Sequence, residues 1–278
     1  NFLDMTSGSG SEYNFDGLVG PTHNFSGLAI GNLASQDNRY RVSHPKAAAL
    51  QGLKKIKLLH ELGIKQGIIP PQERTSLMAL RNFGFKGTDR QIFEKVRQEN
   101  PELFLICCSA SSMWTANAAT FSPSADTEDH RVHITPANLQ SQRHRSIELI
   151  ETVPFLKNIF CSEATFFHHP PLTGDDRKDE GAANHMRLSA AYAQRGIEIF
   201  VYGTAQNLLS EQKTQVYPAR QSLEASLANI RSHRLTETQT VLIQQNPAAI
   251  DRGVFHNDVI AVSIKNVLLY HEEAFQNK

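Results

Sequence analysis

The run Val254-Phe255-His256-Asn257-Asp258-Val259-Ile260 sets a histidine and an aspartate into an otherwise apolar stretch. Side chains alternate along a strand, so His256 and Asp258 would share one face, two residues apart. Burying such a pair is costly unless hydrogen bonds satisfy it or a cleft exposes it. Two readings stand level here: a hydrogen-bonded structural histidine, or an imidazole that accepts and returns a proton. A second run, Asp179-Glu180-Gly181-Ala182-Ala183-Asn184-His185, puts Glu180 in the first turn of an expected helix. There the unpaired N–H groups stabilise a carboxylate structurally, while the small residues leave Glu180 and Asn184 open to a ligand. The stretch 109–120 holds the only tryptophan, Trp114, with Asn117 among small residues, and by itself reads as tight packing. Arg143-His144-Arg145 can grip an anionic group through forked donors or form a solvated basic patch. Arg220, in the first turn of another expected helix, sits against the dipole, which hints at a function.

The elements that must hold these side chains alternate between helix and strand. Pro45 opens a helix whose Ala48, Leu50, Leu53, Ile56, Leu59 and Leu62 recur as one apolar face, and Gly63 stops it. Thr88-Asp89-Arg90-Gln91 is a capping box that starts a helix running towards Gln98, broken at Asn100-Pro101. A helix over 180–195 closes at Gly196 and leads into a strand over 197–202. A helix over 219–234, a second box at 236–239 and a strand at 241–243 follow. Residues 254–263 and 266–271 read as two strands joined by a tight turn through Ile264 and Lys265. The order implies a mixed α/β architecture.

Composition narrows the function. Lys plus Arg and Asp plus Glu each number 28, a formal charge of zero, which argues against a general nucleic-acid or membrane-surface binder. The 278 residues are enough for a large core without disulfides or a structural metal. Three cysteines, two of them adjacent, form no closed disulfide set and no zinc-ligand spacing, so a reducing cytoplasm is expected. His130 and His133, like His168 and His169, fall on opposite faces of extended segments, and no metal is expected. No apolar run reaches the roughly 18 residues of a membrane span, and no secretion signal is visible. Residues 1–11, rich in Gly and Ser, read as a flexible linker or a foreign remnant.

Taken together, several stretches resemble one family. They are Asn14-Phe15-Asp16-Gly17-Leu18-Val19-Gly20-Pro21-Thr22-His23-Asn24, the 114–117 run, His144-Arg145-Ser146, 179–185, 217–221, and Gln244-Gln245-Asn246-Pro247 through Gly253 to Val262. Over residues 12–278 the chain resembles N-succinylarginine dihydrolase, of the pentein or guanidino-group-modifying superfamily. The resemblance implies a pentein-type α/β propeller of ββαβ modules around a pseudo-fivefold axis, with the active site at its centre. It implies hydrolysis of N2-succinyl-L-arginine to N2-succinyl-L-ornithine, two ammonia and carbon dioxide, in the arginine succinyltransferase pathway, without metal or organic cofactor. Carried onto matching positions, Glu180 and His256 are the acid/base members of a Cys-His-Glu set, and Asp258 binds the guanidinium. Asn117, His144, Arg145 and Arg220 match substrate-binding positions. So does the loop Ser26-Gly27-Leu28-Ala29-Ile30-Gly31-Asn32-Leu33-Ala34-Ser35. A homodimer is expected for the full-length enzyme.

The chain departs from this family at the nucleophile. The family's cysteine lies in a glycine-rich stretch well after the histidine, whereas Cys107, Cys108 and Cys161 all precede His256 and match no nucleophile motif. Residues 12–278 are therefore expected to be the amino-terminal portion of a single pentein domain, roughly three of five modules, binding substrate but inactive alone. Rival readings are a non-catalytic substrate-binding module, a related arginine or agmatine deiminase, and a histidine-dependent metallohydrolase.

Overall fold

The computed structural model describes residues 10–25, 27–29, 31–209 and 212–276. Most of the Gly/Ser-rich segment (1–9) and Ser26 and Ile30 of the expected substrate loop lie outside the described residues. The chain divides into two compact units.

The smaller unit comprises Tyr13–Thr115 and Gln140–Phe155. Its strands β1 (Tyr13–Gly17) and β2 (Lys65–Ile69) pair in parallel, with Tyr13 opposite Lys65. Between them run α1 (Leu33–Asp37) and α2 (Pro45–Glu61). Proline opens α2, and Gly63, at φ +86°, takes the left-handed geometry beyond its end. The expected internal face of α2 is corrected by the structure. Only Ile56 is buried, while Leu50 and Leu62 are 49% and 69% exposed. Helical spacing decides which residues share a face, not whether anything covers it.

Three further helices, α3 (Leu77–Asn82), α4 (Asp89–Glu99) and α5 (Pro101–Cys107), enclose a core of Leu80, Ile92, Val96, Leu103 and Ile106, which Ile147 joins. The capping box forms as the sequence requires. Gln91 N donates to Thr88 Oγ1 at 3.3 Å, and Thr88 N donates to Gln91 Oε1 at 2.9 Å. The break at Asn100-Pro101 is a hand-over between helices: Asn100 Oδ1 accepts from Leu103 N at 3.0 Å and Pro101 takes the first position of α5. The short α6 (Arg143–Ser146) and the start of α7 (Leu149–Ile159) complete this unit.

The larger unit holds residues 10–12, 116–139 and the chain from 156 onward. It contains two three-stranded sheets of one topology. In the first, β3 (Ala119–Ser122) runs antiparallel to β4 (Val132–Pro136), and β5 (Phe166–His168) lies parallel to β4. In the second, β6 (His185–Leu188) runs antiparallel to β7 (Ile197–Tyr202), and β8 (Thr240–Gln244) lies parallel to β7. Helical segments separate the second and third strands each time, with α8 (Leu223–Ser232) serving the second sheet. After α9 (Pro247–Asp251) an antiparallel pair follows, β9 (Ala261–Ile264) and β10 (Val267–Tyr270). Met186, Ile199, Val201 and Ala261 pack together beneath these strands.

Four expectations change here. No helix spans 180–195: a 3-10 turn, Gly181–Asn184, runs directly into β6. The alternation His185-Met186-Arg187-Leu188 carries that strand, and pairing Met186 with Ile199 buries it, which outweighs local helix propensity. The helix expected from 219 starts at Leu223, because Ser222 caps it by accepting from Ala225 N at 3.2 Å. Within 254–263 only Ala261–Ile264 is strand, and Asn257–Val259 forms a 3-10 turn. The hairpin turn falls at Lys265-Asn266, since Ile264 is already paired with Val267. Among the described residues no helix is long and apolar enough to cross a membrane.

Histidines gather inside the larger unit. His133 on β4 places Nε2 2.9 Å from Asp129 Oδ1 and Nδ1 2.9 Å from His169 Nε2. His233, just beyond α8, stacks on His169 at 5.1 Å and bridges Thr135 Oγ1 (2.7 Å) and Ser122 Oγ (2.8 Å). Ser122 Oγ donates to Glu198 Oε2 at 2.7 Å, and His185 Nε2 lies 3.1 Å from the same oxygen. Burial, then the neighbouring His133 and Arg234, push His169 down to about 4, and burial with its histidine neighbours pushes His233 well below 6.5.

Two outcomes follow from this packing. Thr88→Ala removes the cap and should cost about 1 kcal/mol of stability, read as a lower urea midpoint; an unmoved midpoint would show the box to be idle. The folded chain holds His169 and His233 neutral where the unfolded chain protonates them, so unfolding takes up protons below pH 6.5. Stability should therefore rise with pH between about 4 and 6.5, and His169→Asn should flatten that rise. Urea unfolding free energies measured across the interval check the sign; a flat or falling curve contradicts it.

Candidate active site

Glu180 is fully buried at the entry to the Gly181–Asn184 turn, and its Oε2 lies 2.8 Å from Nε2 of His256. The backbone of Glu180 is held from both sides. Its N–H donates to Gln221 Oε1 at 2.7 Å, and its carbonyl accepts from Asn117 Nδ2 at 2.8 Å. Gly181 follows at φ +72°, where a Cβ would come within 3.2 Å of both the Ala116 oxygen and the Ala137 Cβ. The turn that aims Glu180 is thus available to glycine and strained for other residues.

His256 reaches this carboxylate from an extended residue (φ −127°, ψ 146°) just before the Asn257–Val259 turn. Phe255 anchors it by packing with Ala219 and Ile250. The buried Arg220 lays its guanidinium over the Phe255 ring, 4.1 Å from the centroid. Asp251 fixes the approach to Arg220 by accepting from the N–H groups of Gln215, Val216 and Tyr217 at 2.8, 2.8 and 3.1 Å. Burial alone would raise the Asp251 carboxyl, but these three donors hold it below the ordinary carboxylate value.

The larger unit therefore brings together Asn117, Glu180, Arg220 and His256, and two expectations about them need correction. Glu180 draws no stabilisation from a helix N-terminus, and Arg220 lies before α8 rather than against its dipole. Asp258 is exposed in the 3-10 turn and shares no strand face with His256, because the backbone leaves extended geometry after His256.

The remaining expected binding residues lie in the smaller unit. Gly27, at φ +73°, donates its N–H to Ser35 Oγ at 2.8 Å, and Asn32 caps α1 by accepting from Ser35 N at 2.9 Å. Leu28, Ala29, Asn32, Ala34 and Ser35 line a cavity of about 710 Å³ together with Trp114 and His144. Trp114 is 62% exposed there, so tight packing is not what the tryptophan does. His144 and Arg145 are buried in α6, which rules out a solvated basic patch. Arg145 Nε lies 3.8 Å from Glu148 Oε1, which accepts from Ser111 Oγ at 2.5 Å. Sequence reasoning missed Arg41 and His44, which line the same cavity, and the bridging role of Gln221. Only three-dimensional pairing exposes these; no local pattern marks them.

The thiols are arranged differently. Cys107 and Cys108 are buried, and burial pushes Cys107 up to about 11 and raises Cys108, away from thiolate character. Cys161 is exposed and opens on a cavity of about 440 Å³ lined by Lys157, Phe160, Glu163 and His168, not by Glu180 or His256. A buried carboxylate on an accessible imidazole can hold the ring, balance its positive form and let it shuttle a proton.

Known proteins resemble this chain in sequence and in fold. N-succinylarginine dihydrolase from Shewanella denitrificans is 55% identical over 267 residues, covering 96% of this chain and 60% of its own length. The protein of the same name from Shewanella loihica is 56% identical over 265 residues, covering 95% and 60%. The chain thus spans about 60% of the length of these relatives. Among solved structures, the product-bound N-terminal domain of ArgZ, an arginine dihydrolase from the ornithine-ammonia cycle in cyanobacteria, superposes with a TM-score of 0.57 at 12% identity. It covers 96% of this chain and 68% of that one. Unliganded AgrE gives 0.54 at 14% identity, covering 95% and 27%. Both likenesses are of fold. The family model described as succinylarginine dihydrolase matches residues 9–278, and with these relatives it shows that the chain belongs to the succinylarginine dihydrolase family.

Proposed function

We propose that this chain supplies the acid/base machinery and part of the substrate site for hydrolysis of N2-succinyl-L-arginine to N2-succinyl-L-ornithine, two ammonia and carbon dioxide. The observation that carries the proposal is the 2.8 Å contact between buried Glu180 and His256, residues far apart in sequence. Family membership and the names of the relatives support the substrate.

The reaction begins when a cysteine thiolate bonds to the guanidinium carbon. His256 gives a proton to one terminal nitrogen, the C–N bond breaks, and ammonia leaves. Water then adds to the same carbon while His256 takes back a proton, and cleavage of the S–C bond frees a ureido intermediate. A second round on that carbon expels the second ammonia and leaves a carbamate, which loses carbon dioxide. Glu180 orients His256 and balances the imidazolium formed between these steps. Asp258 pairs with the guanidinium, for which a carboxylate is a planar partner. Asn117, His144, Arg145, Arg220 and loop 26–35 hold the rest of the substrate, with Arg220 and Arg145 on its carboxylates. The reaction takes place in the cytoplasm of the cell, in a homodimer.

The fold in this reading is a pentein propeller of which residues 12–278 form an amino-terminal portion. The repeated strand order of the two three-stranded sheets supports it. In this reading the nucleophile is none of these three cysteines, which is supported by the raised thiols of Cys107 and Cys108 and by the cavity of Cys161, whose lining does not include His256.

Ammonia release from succinylarginine tests the reading. In the full-length enzyme, Glu180→Gln and His256→Asn should each lower kcat by about 10²–10⁴-fold, and free arginine or agmatine should be poor substrates. Activity within tenfold of wild type in either variant removes the pair from the mechanism. Protein ending at Lys278 should show no turnover, and sustained hydrolysis by it would place the nucleophile among its own cysteines.

A further inference from the structure

Glu180 is gripped by a second buried pair that the reaction above does not use. Asp179 and Gln221 are both buried, as are Asn229 and Ser226 beside them. The Gln221 side chain spans two groups of opposite character: its Oε1 accepts from Glu180 N at 2.7 Å, and its Nε2 donates to Asp179 Oδ1 at 3.2 Å. Neither end tolerates an amide flip. A reversed amide would set NH2 against an N–H that only donates, and an oxygen against a carboxylate that only accepts. The Asp179 carboxylate also accepts from Gly181 N and Asn229 Nδ2, each at 3.3 Å, and its own N–H donates to Asn138 Oδ1 at 3.0 Å. The residues on both sides of Glu180 are thus tied to one acid–amide bridge.

We propose that Asp179 and Gln221 are positioning residues whose bridge sets the direction in which Glu180 presents its carboxylate to His256. The inference rests on the acid/base reading of that pair and deepens it. Burial, joined by the charge of Glu180, leaves the Asp179 carboxyl raised overall, although the donors Asn229, Gly181 and Gln221 pull against that rise. The bridge thus sets three N–H donors on the Asp179 oxygens where water does not reach. Without the Asp179 contact, the Gln221 amide loses the anchor that aims its oxygen at Glu180 N.

Exchange of the two partners tests this in the full-length enzyme. Gln221→Glu sets two carboxylates face to face, which hold the bridge only when they share a proton. At neutral pH kcat should fall at least about tenfold with KM inside about threefold, the signature of an interaction made in the transition state. Activity should recover as the pH is lowered and a shared proton restores a donor. The double variant Asp179→Asn with Gln221→Glu swaps amide and carboxylate and re-forms one bridge, at the expense of the long Gly181 contact. It should regain most of the lost kcat at neutral pH.

A readout free of substrate runs alongside: the downfield proton resonance of the His256–Glu180 hydrogen bond. It should shift or vanish in Gln221→Glu and return in the double variant. Equal loss in single and double variants, loss confined to KM, or an unchanged resonance in Gln221→Glu overturns the proposal. If Gln221→Glu does not fold, the double variant decides: the native resonance upholds the bridge, and a folded protein without it, or no folded protein, assigns the pair to the scaffold alone. A wild-type enzyme that releases no ammonia from succinylarginine would sink the substrate reading by itself, because the resonance is measured without substrate.

Discussion

A carboxylate with no access to water, held on one edge of an imidazole, is the constraint around which the larger unit is organised. Stripped of solvent, the Glu180 side chain is costly to bury unless hydrogen bonds replace its hydration. His256 meets part of that cost at Oε2, while Asn117 and Gln221, from other distant parts of the chain, hold the Glu180 backbone in place. Each of these depends on packing elsewhere. Gln221 sits at the entry to α8, His256 is anchored through Phe255 against Ala219 and Ile250, and the turn after Glu180 needs Gly181. The Glu180–His256 pair is thus a consequence of tertiary assembly and has no existence in any single element.

That dependence explains which parts were legible in the sequence. The start of α4 was readable because the capping box is a local device, complete within Thr88 to Gln91. β7 was readable because Ile197 to Tyr202 is a short run rich in β-branched and aromatic residues, and the break between α4 and α5 because proline removes a donor. Residues 180–195 were not. Their small and helix-favouring residues match a helical period, whereas the strand of 185–188 exists because β7 lies ready to pair with it. A similar error displaced Asp258. An apolar run around His256 looks like a strand, but the chain turns after His256 and resumes extended geometry only at Ala261.

The candidate site divides along the same line. Glu180 and His256 were flagged by residue type in an improbable setting, and family resemblance then gave them roles. Their meeting was invisible to periodicity, which carries no information about residues so far apart in sequence. Arg220 was flagged for a reason that fails, since it lies outside α8, yet it is buried against the ring next to His256. Gln221 and Asp179 passed unremarked because an amide and an acid at a segment boundary look ordinary until their partners are placed. Trp114 was misjudged because small neighbours suggest close packing, whereas here they leave one wall of a cavity to the indole.

The chain's 12 histidines show why residue type alone cannot find a catalytic base. Among the described residues of the larger unit, imidazoles rest on carboxylates at His133 on Asp129, His185 on Glu198 and His256 on Glu180. A carboxylate partner is therefore no discriminator. Asp129 is shared with Arg131 and Arg234, and Glu198 with Ser122, which passes the contact on to His233. His133 is 1% exposed and wedged among Phe167, His169 and His233, and His185, 8% exposed, lies against Phe200. His256 keeps 16% of its side chain exposed beside a carboxylate that keeps none, with Arg220 at the adjoining ring. A ring that must exchange a proton with a substrate has to be reachable, and its orienting acid has to be withheld from water. Of the three pairs His256 with Glu180 meets both conditions best, and the buried His133 and His233, with the half-buried His169, spend their hydrogen bonds on holding the sheet together.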